Sequence, residues 1–327
     1  MRKLIFSLAL LTAVMSQAQI EDAKEFGNSI EEQDLKELLY VYASDYFQGR
    51  ETGTLGQKRA VTFLREFYQN RGIAAANGTE DYFQPMELSI KGNPVQTENV
   101  VAIIEGSTLP EEYIVISSHL DHEGVKNGEV YNGADDDGSG SVALLEVAEA
   151  FQEAVKSGKG PKRSIIFLHV SGEEKGLLGS RYYTDNPLYP LANTIANLNI
   201  DMVGRTDPKR ENENDNYIYL IGSDRLSTEL HEVSEAANKA TVNLELDYTY
   251  NAEDDPNRFY FRSDHYNFAK NNIPVIFYFN GTHADYHKPT DTVEKIRYDL
   301  LAQRSQLVFY TAWELANREE RIVVDKK

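Results

Sequence analysis

The chain contains no cysteine, so disulfides cannot hold it together and its stability must come from an ordinary large core. Basic residues are scarce beside acidic ones, 33 Lys and Arg against 52 Asp and Glu, for a formal net charge of −19. Such a surface repels nucleic acid and anionic membrane, although solubility alone accounts for most of it. Long apolar runs are also missing. The longest, Leu4 to Met15, is shorter than the roughly 20 residues that span a bilayer, which argues against a membrane anchor. No internal repeat, low-complexity tract or Pro/Gly-rich linker divides the sequence. The polar insertions at 206–216 and 251–258 read as exposed loops too short to separate domains.

What is present begins with MRKLIFSLALLTAVMSQA, a basic tip at Arg2 and Lys3, an apolar stretch and a small-x-small end at Ser16 and Ala18. That is the pattern of a secretory signal peptide over residues 1–18, and it predicts export to the periplasm or beyond the cell. No cysteine follows the apolar stretch, which excludes a lipid-modified bacterial N-terminus. Cleavage removes two basic and no acidic residues, so the mature charge moves to −21 from the −19 of the full chain. Residues 19–327 are expected to form a single catalytic domain; the chain's 41% apolar content is enough for one α/β core.

Helical periodicity is predicted at 31–43, 55–71, 141–155, 225–240, 264–271 and 292–319. Between these segments lie short β-branched runs at 99–104, 113–118, 164–170, 194–200, 217–222 and 274–279. Strands apolar on both parities are covered on both faces, so the pattern predicts an α/β fold with a mostly parallel or mixed sheet between helical layers.

Metal-type side chains cluster at the carboxyl ends of those runs. His119 and Asp121 follow YIVISS, Glu173 and Glu174 follow SIIFLHV, Asp201 ends TIANLNI, and His287 comes soon after PVIFYF. In an open α/β sheet those ends share one edge, the usual place for a site. The loop GADDDGSG adds Asp135, Asp136 and Asp137 directly before a predicted helix. Three adjacent carboxylates repel one another unless a cation neutralises some of them; Asp137 is better explained by the positive end of the helix dipole, Asp136 by a metal. Two histidines with three carboxylates suit zinc rather than calcium or magnesium. Five ligands around one ion leave little room for substrate, so the count favours two metals sharing a carboxylate. Of Glu173 and Glu174, one can bind metal while the other moves the proton of the metal-bridging water; residue type does not say which. Asp121 is placed to orient the imidazole of His119.

The strings SSHLDH, NGADDDGSG, SGEEKGLLGS, NIDMVGR, RSDHYNF and DYHKPTDT, in this order, resemble the co-catalytic di-zinc aminopeptidases of clan MH, whose relatives include bacterial leucyl aminopeptidases, glutamate carboxypeptidases and glutaminyl cyclases. The likeness extends to SDYFQGRETGTLGQKRA at 44–60 and implies a three-layer zinc-peptidase fold of the phosphorylase/hydrolase type. It further implies that Asp136 bridges two zinc ions, that His119 and Asp201 complete one, that Glu174 and His287 complete the other, and that Glu173 is the general base. Tyr260 resembles a tyrosine that hydrogen-bonds the tetrahedral intermediate in some members, though its FYFR context lacks their cysteines. The stretch from Ile73 to Asn99 is too short for the family's protease-associated insertion.

Other residues are read more plainly. His169 is expected in the core and His231 on a helix surface; His122 and His283 flank the site. Asp264 and His265 are expected to line the substrate pocket; Arg258 and Arg262 could hold a substrate carboxylate, but the preferred reading pairs them with loop acids such as Asp254 and Asp255. The resemblance implies an exported zinc aminopeptidase acting on peptide or protein N-termini. Its competitors are a glutaminyl cyclase or carboxypeptidase on the same scaffold and a non-catalytic ectodomain, the last disfavoured because every ligand-type residue and Glu173 are retained.

Overall fold

A computed structural model describes residues 20–210 and 214–326, and the segment read as a signal peptide lies outside the described residues. The β-branched runs assemble into one nine-stranded sheet. Its strands are β1 (Ala74–Ala75), β2 (Phe83–Ile90), β3 (Asn93–Ile104), β4 (Leu109–His119), β7 (Arg163–Val170), β8 (Thr194–Ile200), β9 (Tyr217–Ile221), β10 (Glu245–Asp247) and β11 (Val275–Phe279). The order is β1-β3-β7-β4-β8-β11-β9-β10, with β2 paired to β3. A separate hairpin joins β5 (Gly124–Lys126) to β6 (Glu129–Tyr131). β7, β4, β8 and β11 are neighbours and mutually parallel. These four carry the metal-type residues, so their carboxyl ends open on one edge. The chain leaves β4 for β7 on one side and later returns to β8 on the other, and a crevice forms where strand order reverses in this way.

Period-two alternation divides the core between the two faces of the sheet. Ile114, Ile116, Ile165, Phe167, Leu198 and Ile276 face the larger helical layer, while Val115, Ile166, Leu168, Val170 and Val275 face the smaller one. The larger layer contains α1 (Glu32–Tyr42), α2 (Leu55–Arg71), α3 (Gly140–Lys156), α5 (Thr228–Ala240) and α7 (Tyr298–Asn317). The smaller has α4 (Leu178–Asp185) and α6 (His265–Ala269). Phe151 of α3 meets Phe309 of α7 at 4.5 Å between ring centroids, fixing the helix that follows the acid triplet. Among the described residues no helix is long and apolar enough to cross a membrane.

Several boundaries differ from the sequence expectation for identifiable reasons. The helix expected at 292–319 starts only at Tyr298, because Ile296 is extended and the Arg297 amide donates to Gly204 O at 2.8 Å. α5 starts at Thr228 rather than Arg225, where the Ser227 hydroxyl accepts from the Leu230 amide. β2 escaped notice because Pro85 sits inside it; pairing with β3 alone makes it an edge strand, where the missing donor is tolerated.

Candidate metal centre and catalytic cleft

His119 is the last residue of β4, Asp201 follows β8 directly, and Glu173 and Glu174 follow β7 after Ser171 and Gly172. His287 lies in the loop beyond β11, and Asp136 in the irregular segment Ala134–Ser139 that leads into α3. Asp136 and Asp137 leave helical backbone angles there, and the three carboxylates point three ways.

Asp135 accepts from the Gly204 amide at 2.7 Å and stands 3.1 Å from His283 Nε2. Asp137 accepts from the amides of His119, Gly140 and Met202 at 3.0–3.1 Å. It therefore caps α3 and ties together the ends of β4 and β8. Although its donors lie close enough to His119 and Asp201 to join a metal, both oxygens are already taken up by backbone N–H groups. Asp136 is the acid left to face the histidines. Its Oδ1 is 3.2 Å from His119 Nε2 and its Oδ2 is 3.0 Å from His287 Nε2. Gly133, with φ 53°, makes this possible: a Cβ there would come within 2.1 Å of Asp136 O and 2.5 Å of the His122 ring.

The five residues expected as ligands come together, in two groups joined by Asp136. His119 Nε2 lies 3.6 Å from Asp201 Oδ1, and His287 Nε2 lies 3.3 Å from Glu174 Oε2. Donor spacings near 3.3 Å are the edge of a tetrahedron with bonds of about 2.0 Å. His119 Nδ1 bonds to the backbone carbonyl of Asp121 at 3.0 Å, which turns the Nε2 lone pair toward the acids. Asp121 thus orients His119 through its backbone carbonyl. Its carboxylate accepts from the Gly172 and Glu173 amides at 2.8 and 3.1 Å and from Thr52 Oγ1 at 2.7 Å, fixing the turn that carries Glu173. Ser263 Oγ, bonded to Asn199, donates to Asp201 Oδ2 at 2.6 Å.

The electrostatics favour a cation. Burial disfavours a charged imidazole, yet Asp201 and Asp136 outweigh it and hold His119 well above the usual histidine range. His287 is likewise pushed up to about 10, burial being overcome by Asp136 and Glu174. Burial and Asp136 act to raise Glu174, but His122 and His287 pull it down to about 2. These acids hold protons on the histidines, and a metal ion can replace those protons. Among the described residues Asp136 Oδ2, Glu174 Oε1 and both ring nitrogens of His122 are buried and make no well-aligned hydrogen bond, although His287 and His122 stand at ion-pair distance from the two acids, as in a site built for a metal. The donor set therefore fits zinc.

Glu173 behaves differently from its neighbour. Burial, with Glu174, Asp201 and Asp264 adding to it and His119 opposing, pushes its carboxyl well above the usual range. It lines a cleft with His119, Asp136 and Asp201 whose water-accessible space is about 30 Å³, room for two or three waters. Tyr260 does not line this cleft. Its ring lies beneath Arg225, 4.7 Å from the guanidinium carbon, and beside Gly222. The tyrosine in the cleft is Tyr286, stacked on His287 at 3.9 Å. Burial, then Asp136, Glu174, Asp201 and Glu173, raise its pKa, so the hydroxyl stays a proton donor. Asp264 and His265 are fully buried behind the wall: Asp264 accepts from Ser180, and His265 stacks on Phe277 at 4.8 Å. Neither Arg258 nor Arg262 pairs with an acid among the described residues; their guanidinium carbons stand over Phe261 and Phe259 at 5.0 and 4.9 Å.

Sequence reasoning gave three contributors too little weight. His122 is fully buried with Nδ1 2.9 Å from Glu174 Oε1 and 3.7 Å from Asp136 Oδ2; its place next to Asp121 in SSHLDH was the available signal. Tyr286 adjoins His287 in DYHKPTDT. Arg50, in the 44–60 stretch, is wholly buried and donates to the carbonyls of Leu120, Asn132 and Gly133 at 2.7–3.0 Å, bracketing the two loops that hold His119 and Asp136. Of the remaining histidines, His169 lies in the core, 2.8 Å from Tyr68 OH.

Residues 99–312 match the model of Peptidase family M28. A probable leucine aminopeptidase of Arthroderma otae is 27% identical over 305 residues, covering 89% of this chain and 78% of that protein. Among solved structures, BSAP, a zinc aminopeptidase from Bacillus subtilis, is similar with a TM-score of 0.68 at 16% identity, over 91% of this chain and 99% of that one. A glutaminyl cyclase of Porphyromonas gingivalis gives 0.70 at 19% identity, over 86% and 97%.

Proposed function

The chain belongs to peptidase family M28, and from that premise we propose that it is an exported two-zinc aminopeptidase, a single catalytic domain over 19–327 directed outside the cytoplasm by residues 1–18. The observation that carries the metal reading is the division of Asp136, with one oxygen toward His119 and the other toward His287. Asp136 would bridge two zinc ions, with His119 and Asp201 on one side and Glu174 and His287 on the other. When bound, the two ions lower the pKa of a shared water toward about 7 and polarise the scissile carbonyl.

The chain's own groups do the rest. Glu173, whose backbone is fixed by Asp121, takes a proton on its carboxylate as water attacks and returns it to the departing amine. Tyr286, kept protonated by burial and by the surrounding acids, donates to the oxygen on which negative charge develops. The likeness to a probable leucine aminopeptidase over 89% of this chain and 78% of that protein supports the aminopeptidase reading over its relatives. Glutaminyl cyclase and carboxypeptidase activities are the competing outcomes.

The test is metal quantification with a substrate panel. Glu173→Gln is expected to keep about two zinc ions while turnover falls by 10² or more; normal turnover in that variant would defeat the mechanism. Rapid cleavage of N-blocked peptides, or cyclisation of Gln-initiated peptides without hydrolysis, would displace the aminopeptidase assignment.

A further inference from the structure

Arg262 lines the same cleft as His119, Asp136, Glu173 and Asp201. It follows the short 3₁₀ turn Phe259–Phe261, is solvent-exposed, and lies over the Phe259 ring at 4.9 Å. Stacking holds the guanidinium plane while leaving its N–H donors free for a planar anion. No carboxylate pairs with it among the described residues, although the chain has 52 acids. The nearby acids are engaged elsewhere: Asp255 by the Asn257 and Phe259 amides, Asp264 by Ser180, and Asp201 by Ser263.

Charge counting makes this guanidinium more than a neighbour. Asp136, Glu174, Asp201 and Glu173 together carry at most four negative charges, which two divalent ions neutralise. Arg262 is then the uncompensated charge in a narrow cleft with aromatic walls, where a low local dielectric strengthens its attraction for an anion. An extended peptide advances about 3.3–3.6 Å per residue. Because Arg262 and the ligands line one small cleft, a carboxylate that reaches Arg262 while the scissile carbonyl sits among the ligands belongs to a residue close to the cut bond.

We propose that Arg262 is a specificity-determining residue that binds a substrate carboxylate, making short peptides with a free carboxylate next to the scissile bond the preferred class. This rests on the peptidase reading above. The shared chemistry has two sources, the C-terminal carboxylate of a dipeptide or the side chain of an N-terminal Asp or Glu. Arg262 is exposed and makes no hydrogen bond through its side chain among the described residues, so replacing it does not threaten the fold.

The experiment uses the zinc-loaded mature protein with Leu-Ala, Leu-Ala-amide, Leu-anilide and Glu-anilide. The expected result is a preference of tenfold or more in kcat/KM for the carboxylate-bearing member of one pair, erased in Arg262→Gln and partly kept in Arg262→Lys. Loss of the Leu-Ala preference identifies the C-terminus as the source, and loss of the Glu-anilide preference the side chain. Equal rates within both pairs, or a preference untouched by Arg262→Gln, would overturn the proposal while leaving the aminopeptidase reading intact. If no substrate turns over, that reading fails instead. Calorimetric binding of non-hydrolysable Leu-Ala and Glu-anilide analogues to the Glu173→Gln protein then still decides: a tenfold weakening of either by Arg262→Gln supports the carboxylate site, and unchanged affinity for both refutes it.

Discussion

Replacing Arg50 by methionine probes how the two metal-bearing loops are held. The native guanidinium is fully buried and donates to Leu120 O at 3.0 Å, Asn132 O at 2.7 Å and Gly133 O at 2.9 Å. Methionine fills much of the volume and leaves these acceptors without the donor. Each buried, unsatisfied carbonyl costs about 1–3 kcal/mol, and relief from burying the cation offsets part of that. The net loss is expected at about 2–5 kcal/mol. For a chain of this size the unfolding entropy is about 0.6 kcal/mol per kelvin, so the midpoint should fall by about 3–8 °C. Because Leu120 follows His119 and Gly133 precedes the acid loop, zinc affinity should fall about 10–100-fold, as when groups that orient ligands are lost. Differential scanning calorimetry of zinc-loaded and EDTA-treated protein, with chelator competition for affinity, measures both. A midpoint within 1 °C of wild type together with unchanged zinc affinity would refute the reasoning.

Two other perturbations test different parts of the molecule. His122→Ala removes an imidazole 2.9 Å from Glu174 Oε1 and should weaken the Glu174–His287 zinc by about 10–100-fold while leaving the His119–Asp201 zinc in place; uniform retention of both metals under chelator challenge would show that His122 does not act on the centre. Glu146 on α3 is 5% exposed, and its carboxyl is pushed up to about 8 by burial, with Glu149 and Asp34 adding to this and Arg71 opposing. Between pH 4.5 and 8 the folded chain holds a proton that the unfolded chain has released, so this residue's contribution to stability is full at low pH and declines as pH rises through that window. Glu146→Gln should therefore be more stable than wild type by about 1–3 kcal/mol at pH 8.5 and equal to it near pH 4. Urea denaturation at the two pH values measures this, and a pH-independent difference would contradict it.

The fold was legible where sequence pattern and packing agree. The apolar runs at 113–118, 164–170, 194–200 and 274–279 are buried on both sides, so their continuous hydrophobicity is enough to mark central parallel strands. β2 was not legible because half its side chains face solvent and it contains Pro85. The break before α7 was hidden because the Arg297 amide finds Gly204 O, a partner 93 positions away that no local pattern announces.

The sequence by itself determined the chemistry on offer: histidines and carboxylates at strand ends, an acid triplet before a helix, and paired glutamates after a strand. Those features are local, and local spacing is enough to place them at one edge of a parallel sheet. Only the tertiary structure decided how they divide the work. Asp137 was separated from Asp136 by three amides, of His119 in β4, Met202 just beyond β8 and Gly140 in α3; Asp121 holds His119 by its carbonyl and the Glu173 backbone by its carboxylate; and Tyr286, Arg50 and His122 were brought to a centre from which Tyr260 was excluded. Each of these outcomes depends on where long-range hydrogen bonds and packed rings aim a side chain, and that direction is set by the partner rather than by the residue's own neighbours in the chain.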